Sequence, residues 1–124
     1  MPNRTSDLIV PITDWQEEHF LSSVYQMPAE EREEVGLYLT RHPHLVAALK
    51  DIHTQLSIVF TTDLLHISLV RFRDHEEGVQ WLSVRVFTVL PPRDAVKRLA
   101  AFDEWWIDQE PTVRAHITIT AEPL

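Results

Sequence analysis

Residues 64–90, LLHISLVRFRDHEEGVQWLSVRVFTVL, decide the fold, because here the apolar residues change from a helical spacing to alternation. Two runs rich in β-branched and apolar residues, Leu64–Arg73 and residues 79–90, flank the polar stretch Asp74-His75-Glu76-Glu77-Gly78. Such runs around such a turn predict a β-hairpin. Pro91 and Pro92 then break the second strand. From Asp94 to about Gln109, Val96, Leu99, Ala100, Phe102, Trp106 and Ile107 supply the apolar positions of a helix, and Pro111 ends it. Residues 112–120 alternate once more. Val113, Ala115, Ile117 and Ile119 fall on one face, and Arg114, His116, Thr118 and Thr120 on the other.

The chain before the hairpin reads as three helices. Thr13 and Gln16 have the spacing of a capping box for a helix over 14–26 that buries Trp15, Phe20, Leu21, Val24 and Tyr25. Pro28 stops that helix and suits the first turn of a second one. In the second helix Glu30, Glu31, Glu33 and Glu34 complement the positive end of the dipole, and Val35, Tyr38 and Leu39 turn inward. A third helix runs from Pro43 to about Gln55 or Leu56, with Leu45, Leu49, Ile52 and Leu56 on one stripe. Ser57 to Asp63 reads equally as a helix tail, a short edge strand or a buried connection.

The expected fold is α+β: three N-terminal helices followed by a β-β-α-β unit forming a three-stranded sheet. A right-handed crossover combined with the hairpin predicts the Leu64–Arg73 strand in the centre. That is a split β-α-β arrangement, half of a ferredoxin-like unit. A chain of 124 residues buries enough surface for one core, so a single domain over 1–124 is expected, with 1–12 as an extended lead.

Composition removes whole classes of chemistry. There is no cysteine, which excludes disulfides, thiolate nucleophiles and cysteine-ligated metal, and which points to the cytoplasm. Two isolated glycines, Gly36 and Gly78, make neither a phosphate-cradling loop nor a dinucleotide fingerprint. The net charge of −8 opposes nucleic acid and anionic membranes, and no apolar run approaches the ~20 residues of a membrane helix. No Gly-x-Ser-x-Gly elbow is present, and the adjacent Asp103 and Glu104 point about 100° apart on a helix. The seven histidines include His42, His44 and His53, but His44 and His53 are too far apart in sequence for one helix face. No catalytic residue, cofactor or transition metal is expected, and the sequence leans against an enzyme.

The segment Phe102-Asp103-Glu104-Trp105-Trp106, closing a helix between a hairpin and a last strand, resembles a pattern in small uncharacterised bacterial proteins. The likeness spans roughly residues 64–120. It supports the element order and implies no function.

The second face of the expected sheet is the most specific functional feature. It gathers His66, Phe72, Trp81, Arg85, Phe87, Arg114 and His116, aromatics interleaved with arginines and histidines. Trp105, at the margin of its helix's apolar stripe, joins these as an interface candidate, whereas Trp106 is expected on the buried face. Three strands give a sheet about 15 Å wide and a helix is about 10 Å across, so the helices are not expected to fit on one side. The second face is therefore read as covered by N-terminal helices, as a protein interface, or as a platform for a small ligand or nucleic acid. The function expected is protein–protein interaction by an acidic cytoplasmic accessory or regulatory module, its partner another protein or a second copy in a homodimer. The alternative is a ligand-binding or enzymatic domain using Arg85, Arg114, His66 and His116.

Overall fold

The computed structural model describes residues 19–123. Residues 19–24 are helical (α1), followed by α2 (Ala29–Arg41), α3 (His44–Phe60) and a 3-10 turn (Thr61–Asp63). Strands β1 (Leu64–Arg73) and β2 (Gln80–Thr88) come next, then α4 (Pro92–Trp106), α5 (Pro111–Arg114) and β3 (Ile117–Pro123). The fold is α+β around a three-stranded mixed sheet. The expected capping box at Thr13 and Gln16, Trp15 and the extended lead lie outside the described residues.

The order of strands corrects the sequence-based expectation. β2, not β1, is central: β1 pairs with it antiparallel and β3 pairs with it parallel. The split arrangement is thus replaced by an adjacent β-α-β unit made of β2, α4 and β3. A crossover of a dozen or more residues suffices to reach the neighbouring strand, and α4 alone spans Pro92–Trp106. The outer edge of β1 is already occupied. Gln26 donates its N–H to the Ile67 carbonyl at 2.7 Å and accepts from the Leu69 N–H at 2.9 Å. Glu31 Oε1 accepts from the Arg71 N–H at 3.4 Å. No room is left there for a second strand. The first helix stops short for the same reason, since Gln26 is spent on this bridge.

The last strand is also shorter than expected. Residues 111–114 form a helical turn, with Pro111 at its start where a missing N–H costs nothing. The Arg114 N–H bonds Glu110 O at 3.0 Å and the Ala115 N–H bonds Pro111 O at 2.9 Å. The alternation at 112–116 was therefore a chance pattern overridden by a proline-initiated turn. Val113 packs on the core from α5, and Ala115 is exposed.

One core serves all the elements. The α3 stripe of Leu45, Leu49, Ile52 and Leu56 is fully buried, and the same stripe continues to Phe60. Val35, Tyr38 and Leu39 of α2 join it, as do Ile67, Leu69, Leu82, Val84, Val86 and Ile117 of the sheet and Phe102 of α4. Leu65 falls outside it at 46% exposure, because the register shifts between Leu64 and His66. The helical reading of Ser57–Phe60 holds for a local reason. Arg98 Nη1 donates to the carbonyls of Val59 (3.0 Å) and Phe60 (3.3 Å) at the end of the helix, the latter also accepting from the Thr61 hydroxyl at 2.7 Å, while Nη2 meets Asp63 at 3.2 Å. Thr61 then turns the chain at φ 50°, a conformation usually left to glycine.

Trp105 and Trp106 are both half-buried, which corrects the expectation that Trp106 is the inward ring. Each leans on Phe102, with ring centroids 5.5 and 6.1 Å away, and Phe102, with Ala95 two turns before it, forms the fully buried centre of the stripe. Phe102→Ala is expected to cost about 3–5 kcal/mol through lost transfer free energy and the cavity left behind. Trp105→Ala and Trp106→Ala are expected to cost clearly less, and to be similar to each other. Urea melts of the three variants measure this directly; a Trp106 loss matching that of Phe102 would contradict it.

Candidate functional site

The described helices pack on one side of the sheet, their buried residues sharing one core with Ile67, Leu69, Leu82, Val84, Val86 and Ile117. α2 lies along β1 and α4 along β3, while α3 meets α4, α2 and α5 and adds its stripe to the same core. Among the described residues, no second-face side chain of β1 or β2 belongs to the core.

That face is built by cross-strand pairing. The register sets His66 opposite Phe87, Ser68 opposite Arg85, Val70 opposite Ser83 and Phe72 opposite Trp81. His66 stacks on Phe87 at 4.4 Å and 19°, and Phe72 stacks on Trp81 at 5.9 Å and 18°. The Arg85 guanidinium lies 5.7 Å over the Phe72 ring, within cation–π range. Ser83, on the same face in the middle of β2, is buried at 5% exposure, while Phe72 stays 37% exposed. His66, Phe72, Trp81, Arg85 and Phe87 thus share one surface, as the alternation implied. Trp105 does not belong to it; its contacts are with Phe102 and Trp106 on α4.

Arg114 and His116 are elsewhere. Arg114, on α5, donates Nε to Gln109 O at 3.0 Å. His116, in the turn before β3, sits 2.7 Å through Nδ1 from the Tyr38 hydroxyl. The four side chains of the ligand-binding alternative therefore do not converge.

His116 enters a different cluster, one the sequence did not disclose. Its ring lies 4.5 Å from that of His42 and 6.1 Å from that of His44, and the Tyr38 ring lies 4.6 Å from that of His42, tilted by 40°. These groups come from the end of α2, the start of α3 and the turn into β3, separated by more than seventy positions in sequence. Tyr38 also donates to Gln80 O at 3.1 Å, so its single proton is committed and His116 Nδ1–H is the donor to the phenol oxygen. Burial, reinforced by the neighbouring His42 and His44, holds the His116 pKa below the usual imidazole value. His53 is likewise held low by burial, near the rings of Phe20 and Tyr25. Among the described residues no group of three or more His, Cys, Asp or Glu has the geometry to hold a metal ion. The rings of His42 and His116 are tilted by 37° with centroids 4.5 Å apart.

No family model, curated protein or solved structure matches the chain. Among the described residues no helix is long and apolar enough to cross a membrane.

Two consequences are measurable. Lowered imidazole pKa values mean that the unfolded chain takes up protons first as pH falls. Stability is therefore expected to be full above the ordinary imidazole value of 6.5 and to decline as pH drops through the lowered values of His116 and His53. Tyr38→Phe leaves the Gln80 carbonyl and the His116 Nδ1–H without their partner, and is expected to cost about 1–3 kcal/mol at neutral pH. Thermal melts across pH 5–8 check both, and a melting temperature that rises on acidification in that range would contradict the first.

Proposed function

We propose that the chain is a protein–protein interaction module, an accessory or regulatory domain of the cytoplasm, that engages its partner through the second face of the sheet. The observation that carries this is the strip of Phe72, Trp81 and Arg85, stacked together on the side of the sheet opposite the described helices. Aromatic side chains and arginine are the residues enriched at the centres of interfaces. Pairing across the strands fixes these rings before any partner arrives, which lowers the ordering cost of association. The scattered positions of His66, Arg85, Arg114 and His116 speak against a shared ligand pocket.

Purification of a tagged chain from its native host, with identification of what accompanies it, is the direct test. Trp81→Ala and Arg85→Glu are expected to lose about 2 kcal/mol or more of partner affinity, roughly thirtyfold, while keeping their fold. Arg32→Glu, on the outer surface of α2, is expected to retain the partner. A partner bound equally by all three variants would show that this face is not its site.

A further inference from the structure

The two edges of the sheet are treated differently. On β1 several outward groups are occupied: Ile67 O and Leu69 N by Gln26, and Arg71 N by Glu31. On β3 they are not occupied by any described residue. Leu82 donates to His116 O at 2.8 Å and stands opposite Ile117 in the parallel register. In such a ladder alternate residues bond the neighbouring strand, so His116, Thr118, Thr120 and Glu122 face β2. Ile117, Ile119 and Ala121 point their N–H and C=O groups outward.

This open window is bounded at both ends. Before it, the Ala115 N–H is spent on Pro111 O. After it, position 123 is proline, which has no N–H to give. No lysine, arginine or bulge guards the strand between them, although exposed edges are ordinarily blunted in one of these ways. The window is also symmetric about Ile119.

From this we infer that β3 pairs with β3 of a second copy of this chain, antiparallel about a two-fold axis through Ile119. Ile119 faces its own counterpart, and Ile117 faces Ala121 of the second copy, large against small. Each of these pairs exchanges two N–H···O bonds. Between them, Thr118 stands opposite Thr120 of the other chain, a favourable cross-strand pair. The contact is isologous and self-limiting, because Pro123 and α5 stop the ladder at each end. The two second faces then lie on the same side of one six-stranded sheet. This seam is independent of what that face binds.

The threonines supply the test, since Thr118 and Thr120 are exposed and their replacement leaves the core intact. Sedimentation of the unmodified chain at micromolar concentration is expected to give twice the chain mass. Thr118→Lys with Thr120→Lys sets like charges opposite each other and is expected to give monomer, as is the corresponding double glutamate variant. Mixing the two variants is expected to restore the dimer, now mixed. A monomeric parent chain, or lysine and glutamate variants that stay dimeric alone, would overturn the seam; so would failure of the mixture to associate. A dimer abolished by Trp81→Ala but indifferent to the threonine changes would place self-association on the second face instead.

Discussion

Both hydrogen-bond ladders of the sheet run through β2, and the other elements conform to that constraint. Its Leu82, Val84 and Val86 are fully buried, and alternate backbone groups are committed to β1 on one side and β3 on the other. Because β2 and β3 are parallel, the chain must cross over between them, and α4 is that crossover. Because β1 and β2 are antiparallel neighbours, the hairpin at Asp74–Gly78 suffices; Asp74 Oδ1 accepts from the Glu76 N–H at 2.9 Å, and Gly78 takes φ 73°. With β2 in the middle, β1 becomes an edge strand that needs cover. Gln26 and Glu31 supply it, which draws α1 and α2 onto the same side as α4. The placement of the described helices on one side thus follows from the position of a single strand.

The meeting of helix ends with the sheet is the second constraint. α2 ends where α3 begins, and a corner this tight gathers His42 and His44 beside the turn that leads into β3. Tyr38 fastens the corner to the sheet through Gln80 O and His116. Burial at this joint, with His42 and His44 beside it, favours the neutral form of His116. A structural joint that loosens on acidification is the physical meaning of the lowered His116 pKa.

The sequence disclosed those features that depend on local period. The α3 stripe, the inward residues of α2, the hairpin and the partition of β1 and β2 into two faces all follow from spacing alone. Features that depend on which distant groups compete for a backbone edge were hidden. Nothing local to Gln26 announces that it will occupy β1, and without that knowledge β1 looks free to take the centre. Residues 112–116 show the reverse failure, in which a true alternation was overruled by Pro111. Glu31 and Glu34 belong with these. Their position in the first turns of α2 explains them adequately, yet Glu31 reaches the β1 backbone and Glu34 pairs with Arg71 at 3.3 Å. The second face was correctly composed for β1 and β2 but wrongly extended to Arg114 and His116, because that extension rested on the same false strand.

Charge distribution adds the last step. The chain carries −8 overall, and like-charged molecules repel when they approach. The ionisable residues that the register assigns to the second face are His66, Arg85 and Glu122, one of each kind. Among the described residues, Glu30, Glu33 and Glu104 are exposed on the helices, and Glu76 and Glu77 are exposed in the hairpin turn. A surface close to neutral, rich in stacked rings and next to a strand edge that no described residue occupies, offers an approaching molecule little electrostatic resistance. The helical side, charged and rotamer-rich, has the character of a solvated outer coat. Among the described residues the two sides of the sheet thus differ in charge as well as in packing, and both differences favour the proposed contact through the second face.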